Sequence, residues 1–234
     1  MTSSGKLRVG EAIIDLLVRE YGVDTAFGIP GVHNIELFRG LHSSGVRVIA
    51  PRHEQGAGFM ADGWSIATGR PSMCVLISGP GLTNAITPIA QAYHDSRPML
   101  VLASTTPTTA LGKQLGPLHD LDDQSGVVRS VTALSETITD ASQLPLIIER
   151  AWNVFTSGRP RPVHIAIPTD ILEQFIDPFT RVSVASSPSK LGDQEIDNAV
   201  QLLSNAKRPI IIAGGGSLGC GDLLAKIAES LDAP

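Results

Sequence analysis

A cation, an imidazole and a carboxylate follow one another at Arg52-His53-Glu54, just after the apolar run Val46 to Ala50 and Pro51. From Ala57 on, the apolar positions 57, 60, 61, 64 and 67 fall on one helical face. Glu54 therefore stands where a strand ends and a helix begins, which in open α/β sheets is the crevice that takes ligands. Gly56, Ala57, Gly58, Ala61 and Gly63 leave the helix start without bulk, so another surface can come close. A carboxyl group there either handles protons or is a solvated acid favoured by the helix dipole, and position alone favours the second. His119 lies in a stretch without periodicity; it is either a surface side chain or an imidazole that handles substrate or protons near neutral pH. His53 is expected to orient the turn. Gly79-Pro80-Gly81-Leu82-Thr83-Asn84 has the glycines of an anion loop before a helix, but not the Gly-Lys-Ser/Thr ending of a P-loop. Pro30 and Gly31 read as a helix-start turn. Gly214-x-Gly216-x-x-Gly219 fits the dinucleotide fingerprint by pattern and by its expected strand-to-helix context, with no acidic partner that can be placed.

The elements that must carry these residues alternate. Helices are expected over Val9 to Glu20, Asn34 to His42, the Glu54 segment, Thr83 (as N-cap) to His94, and Leu144 to Ser157. Strands are expected at Thr25 to Phe27, Val46 to Ala50, Met73 to Ile77, Met99 to Ala103, within Val127 to Ser135, and at Val163 to Ile167. Thr105 to Gln124 reads as a loop over the sheet. This order implies an α/β fold: an open parallel sheet with helices on both faces. The expected first domain is 1–176. Pro178, Pro188 and the serines 183, 186, 187 and 189 mark a linker over 177–192. A second α/β domain starts at 193–234, with a helix from Glu195 to Ala206, a strand at Ile210 to Ala213 and a helix to about Leu231. That stub is too small for a core of its own, so the chain reads as a piece of a longer protein.

With 42% hydrophobic and 18% charged residues, the 234-residue chain has the composition of a packed protein. A net charge of -5 without a basic block argues against nucleic acid. No apolar run reaches the length of a membrane span, and no signal core follows the polar start. Cys74 and Cys220 have no metal-type spacing; Cys74 reads as a small buried hydrophobe. A reducing cytoplasm fits.

Four segments, Gly28-Ile29-Pro30-Gly31, Arg52-His53-Glu54-Gln55-Gly56-Ala57, Gly79-Pro80-Gly81-Leu82-Thr83-Asn84 and Ala92-Tyr93-His94-Asp95-Ser96-Arg97-Pro98, occur in an order that resembles the thiamine diphosphate-dependent enzymes of the acetolactate synthase and benzoylformate decarboxylase group. The resemblance covers Val9 to about Asp170, the pyrimidine-binding domain of that group, and the stub resembles the start of its central domain. Arg52 to Gly63 and Gly116-Pro117-Leu118-His119-Asp120, with Gln124, are most similar to 5-guanidino-2-oxopentanoate decarboxylases.

The resemblance implies that Glu54 meets a ring nitrogen of the cofactor pyrimidine, which requires a carboxyl kept partly protonated by burial. It implies close backbone approach at Pro30 and Gly31, and site-lining positions for Thr83 and Asn84. His119 stands where acetolactate synthases carry Phe-Gln, a departure that favours plain decarboxylation over carboligation. The group's Mg2+-binding segment, Gly-Asp-Gly followed by Asn, is not in this sequence, and no other Asp and Asn cluster suits that ion. The implied partners are therefore a small 2-oxo acid and a diphosphate-binding domain from a second subunit, in a homo-oligomer, with this chain alone inactive. FAD at the Gly214 segment is the lesser alternative. A non-catalytic subunit of a split enzyme is the other rival.

Overall fold

The computed structural model describes residues 5–184 and 191–234. The chain divides into two compact units, Met1–Ser187 and Pro188–Pro234.

The first unit is built on a six-stranded sheet of β2 (Thr25–Gly28), β3 (Arg47–Ile49), β4 (Ser72–Leu76), β5 (Met99–Thr105), β6 (Leu134–Thr137) and β7 (Val163–Pro168). The spatial order is β3-β2-β4-β5-β7-β6, and every neighbouring pair is parallel. The chain steps outward from β2 to β3, then returns past β2 to β4, so the order reverses between β2 and β4. Successive side chains of a strand point to opposite faces, and the two cores divide accordingly. Met73, Val75, Leu100, Leu102, Val163, Ile165 and Ile167 pack with α1 (Val9–Tyr21), α2 (Ile35–Ser43), α7 (Leu144–Thr156) and α8 (Thr169–Leu172). Cys74, Leu76, Met99, Val101 and Ala103 pack on the other face with α3 (Glu54–Thr68), α4 (Pro80–Asn84), α5 (Ile86–His94) and α6 (Gln124–Val128). This is the layered α/β architecture that the alternating elements imply. A short antiparallel clasp of β1 (Leu7–Arg8) with β8 (Phe175–Ile176) lies outside the sheet. Cys74 is fully buried and behaves as a hydrophobe: burial, then the charge of Glu54, pushes its thiol up to about 12.

Several expected elements differ. Thr83 does not cap a helix; it lies inside α4, whose N-cap is Gly79, and a break at Ala85 separates α4 from α5. Pro88 explains the break, because it has no N–H for the carbonyl of Asn84 and is tolerated only in the first turn of a new helix. The strand expected within Val127 to Ser135 begins at Leu134; α6 and a 3-10 turn, Arg129–Val131, take up most of that range. Asp177 onward does not leave the first unit at once. Phe179 packs against its core, and Arg181 donates from Nε to Glu149 Oε2 at 3.0 Å, with its guanidinium 4.7 Å from the ring of Tyr21. Burial works to raise the carboxyl of Glu149, but hydrogen bonds from Arg181 and Tyr21 outweigh it and hold the group below its usual range. Pro188, Ser186, Ser187 and Ser189 lie outside the described residues.

In the second unit, α9 (Asp193–Ser204) and α10 (Gly221–Leu231) form, and none of the residues 191–234 is buried. The strand expected at Ile210 to Ala213 does not form. Its residues join no ladder, and the N–H of Ile211 donates to the carbonyl of Pro234 at 3.0 Å. The glycine segment turns through a 3-10 helix, Gly215–Ser217, and α10 starts only after Cys220. The strand that a dinucleotide fingerprint requires is thus missing from its place.

One buried group makes stability depend on pH. His164, in β7, is fully buried; its Nδ1 lies 2.9 Å from Ser135 Oγ, which in turn donates to the carbonyl of Ser125. Burial depresses this imidazole to about 3 from 6.5. Between those values the unfolded state holds one more proton than the folded state, so stability falls as pH drops, by about 1.4 kcal/mol per pH unit. On going from pH 7.5 to pH 5.0, urea unfolding should show the wild type losing about 2 kcal/mol more than His164→Gln, which cannot titrate. Equal losses in the two proteins would contradict this account.

Candidate functional site

The carboxyl ends of β2, β3 and β4 converge at the reversal of strand order, where open sheets bind ligands. Beyond β3 the chain turns at Pro51 and Arg52, and His53 caps α3, its Nδ1 accepting from the N–H of Gln55 at 3.2 Å. His53 therefore orients the turn. Glu54 is the first residue of α3 and is half-buried. Its Oε2 accepts from Asn84 Nδ2, on α4, at 2.9 Å. Its Oε1 has no hydrogen-bond partner among the described residues and faces Gly81, where an added Cβ would lie 3.7 Å away.

Beyond β2, Gly31 donates to Asn34 Oδ1 at 2.7 Å, and Asn34 Nδ2 closes the turn on the carbonyl of Ile29 at 3.1 Å. Ile77, just after β4, wedges between the two loops: a Cβ at Gly31 would lie 2.5 Å from its Cδ1, and one at Gly81 2.4 Å from its Cγ2. Pro30 is exposed on the rim. Thr83 is also exposed, and its hydroxyl donates to the carbonyl of Pro80 in its own helix.

Gly79 turns the chain into α4, at φ 59° and ψ -114°. Its N–H donates to Gln124 Oε1 at 2.9 Å, and Gln124 Nε2 donates to the carbonyl of Ser104 at 2.8 Å. The backbone of His119 lies directly over it, so that a Cβ at Gly79 would be 2.5 Å from the His119 carbonyl oxygen. His119 itself has φ 63°, in a turn where the N–H of Gly116 donates to Asp120 Oδ2. A second imidazole, His33, stands beside it: the ring centres are 5.8 Å apart at 73°, and His33 Nδ1 is 2.6 Å from Ser78 Oγ. Burial, and then the charge of His119, holds His33 below its ordinary pKa.

Glu54, Asn84, Gly31 and His119 are thus gathered around one loop, Ile77 to Asn84. Pro30 and Thr83 lie at its margin without directed contacts. Sequence reading missed His33, Ser78 and the Gln124–Ser104 support. The signal available for His33 was its position two residues beyond Gly31, and the helical pattern after it concealed that signal.

The family described as thiamine pyrophosphate enzyme, N-terminal TPP binding domain, matches residues 7–127. This chain belongs to the thiamine pyrophosphate enzyme family. The match takes in Glu54, the Ile77 to Asn84 loop, both imidazoles and Gln124. Among curated relatives, the probable 2-ketoarginine decarboxylase AruI of Pseudomonas aeruginosa is 47% identical over 230 residues, 97% of this chain and 41% of its own length. The chloroplastic acetolactate synthase of Arabidopsis thaliana is 33% identical over 237 residues, 97% of this chain and 34% of its own. The probable acetolactate synthase large subunit of Methanococcus aeolicus is 35% identical over 233 residues, 96% and 38% of the two chains. The chain therefore spans about two fifths or less of the length of these thiamine pyrophosphate enzymes. Among the described residues, no three His, Cys, Asp or Glu are grouped to hold a metal ion, and no helix is long and apolar enough to cross a membrane.

Proposed function

We propose that this chain supplies the pyrimidine side of the active site in a thiamine diphosphate-dependent 2-oxo acid decarboxylase, with Glu54 as the acid that meets the cofactor ring. The observation that carries the reading is the Glu54–Asn84 pair at the sheet's reversal point. The amide of Asn84 occupies Oε2 and leaves Oε1, beside Gly81, without a hydrogen-bond partner among the described residues. A half-buried carboxyl with one fixed and one open oxygen fits an aromatic ring nitrogen that must share a proton. When bound, the cofactor supplies an electron sink for the pair released as CO2 departs. The part of Glu54 is to hold a proton at Oε1, and that of Asn84 is to prevent the carboxyl from rotating. Gly31 and Gly81 leave room for Ile77 between the two loops, with Pro30 and Thr83 exposed at their margin. On this reading His119 meets substrate.

Mg2+ and the diphosphate belong, on this reading, to a domain of a second subunit in a homo-oligomeric cytoplasmic enzyme, and this chain alone turns nothing over. The division into a pyrimidine domain over 1–176, a linker over 177–192 and a central domain from 193 is part of the same proposal, with the start of the linker held against the first domain by Phe179 and Arg181. The relative named for 2-ketoarginine, which is 5-guanidino-2-oxopentanoate, supports that acid as substrate. The acetolactate synthases at 33% and 35% identity favour carboligation as the second reading.

Full-length protein supplied with thiamine diphosphate and Mg2+ should release CO2 from 5-guanidino-2-oxopentanoate and yield the aldehyde. Condensation of two pyruvate molecules at the higher rate would favour the carboligase, and no release from either acid would overturn the assignment. Flavin absorbance bands in the same preparation would revive FAD, and their absence is expected.

A further inference from the structure

We propose that His33 binds the carboxylate of the 2-oxo acid, donating from Nε2–H alongside His119. This rests on the reading of the groove as a 2-oxo acid decarboxylase site.

The direction of the His33–Ser78 hydrogen bond is set by satisfaction. Ser78 is fully buried, and the sole partner of its Oγ among the described residues is His33 Nδ1 at 2.6 Å. If the ring donated, the serine hydroxyl hydrogen would be buried without an acceptor, a costly arrangement. The hydroxyl therefore donates, Nδ1 accepts, and the proton of the neutral ring sits on Nε2. The neutral form of His119 favours the same tautomer for another reason. Its Nδ1 is shut off from solvent and has no partner among the described residues. A buried N–H without a partner is rarer than a bare acceptor, so its proton also sits on Nε2.

Two imidazoles from different loops, their ring centres 5.8 Å apart, thus each have Nε2 as the N–H donor. His119 holds its position with a left-handed backbone, φ 63°, which a non-glycine residue adopts at a cost usually met at functional sites. The pair stands at the Ser78–Gly79 end of the loop whose Gly81–Asn84 end carries Glu54. Gly79 and Gly81 are two residues apart, so the backbone at the two ends is separated by no more than about 7 Å.

A carboxylate has two oxygens for two donors. The charge on His33 sets how tightly that group is held before it leaves. A cation would hold the carboxylate about twice as strongly in the ground state and oppose its loss. Burial, the larger cause, lowers the pKa of His33 and so favours the neutral ring, which orients the group with less ground-state stabilisation. Ser78 is a positioning residue, acting only through the ring.

The test uses full-length Glu54→Gln holoprotein, in which turnover is slowed by about 10²- to 10⁴-fold, and calorimetric titration with 5-guanidino-2-oxopentanoate, with CO2 release followed alongside to correct for residual turnover, and with 4-guanidinobutanal, which lacks the carboxylate. Adding His33→Phe should weaken the acid about 10- to 100-fold, with the aldehyde and thiamine diphosphate changed less than about twofold. His33→Gln, which keeps a donor, should recover most of the loss. Nitrogen-15 spectra of the wild type should show the Nε2–H form of His33, and Ser78→Ala should lose that preference. Unchanged acid binding, equal weakening of acid and aldehyde, or a protonated Nδ1 on neutral His33 would overturn the proposal while leaving Glu54's role standing. Wild-type turnover by Glu54→Gln alone would overturn the reading of the site, and this proposal with it.

Discussion

Glu54→Gln in the full-length protein should lower kcat/KM for the 2-oxo acid by about 10²- to 10⁴-fold, the usual worth of a positioned proton-transfer group. Glutamine matches the shape of glutamate and keeps an oxygen for the amide of Asn84, so the 2.9 Å contact can survive. What it cannot do is pass a proton between its end group and a ring nitrogen. The structural consequence is small by comparison. Loss of a negative charge from the first turn of α3 removes a helix-dipole interaction of about 0.3–1 kcal/mol, so the variant should fold and still bind the cofactor. Steady-state CO2 release and a cofactor titration together separate the two effects. Activity within threefold of wild type would mean that the carboxyl has no part in the chemistry.

Gly79→Ala should cost about 3 kcal/mol of stability, from two sources of comparable size. A backbone at φ 59° and ψ -114° is open to glycine and carries a penalty of about 1–3 kcal/mol for other residues. The new methyl would also sit 2.5 Å from the carbonyl oxygen of His119 and 2.9 Å from its Cβ. The first of these atoms is backbone, so relief requires the 116–120 turn to move, and overpacking of this kind typically costs about 1–3 kcal/mol. Movement of that turn would take His119 away from His33 and strain the bond from Gly79 to Gln124. Urea unfolding measures the first effect, and kcat/KM of whatever folds measures the second. A stability within about 0.5 kcal/mol of wild type would contradict the tight approach of the two loops.

How much of this was legible in the sequence depends on the range of the interactions involved. The sheet was legible because β4, β5 and β7 are apolar runs between glycine and proline signals. Glu54 was legible as a junction residue because strand, proline and small-residue helix follow one another within the reach of a local pattern. The bond from Asn84 was not, since it joins residues 30 apart through a helix that breaks where Pro88 withdraws an N–H. Thr83 resembled an N-cap by type, but Gly79 and Pro80 had already started the helix. His33 was hidden because its role depends on Ser78, 45 residues away, and no periodicity reports such a pairing. Ile210 to Ala213 has the composition of a strand, yet a strand needs a neighbour for its ladder, and those residues join none. Phe179 and Arg181 sit in a segment punctuated like a linker, while their side chains find a core edge and a buried carboxyl that composition does not reveal.

The measurement closest to the central claim is hydrogen–deuterium exchange at the reactive thiazolium carbon of bound thiamine diphosphate, followed by quenched-flow NMR in wild-type and Glu54→Gln holoprotein. The account predicts exchange at least about 10²-fold slower in the variant, with the cofactor still bound. Exchange at the wild-type rate would show that Glu54 does not activate the ring, and would contradict it.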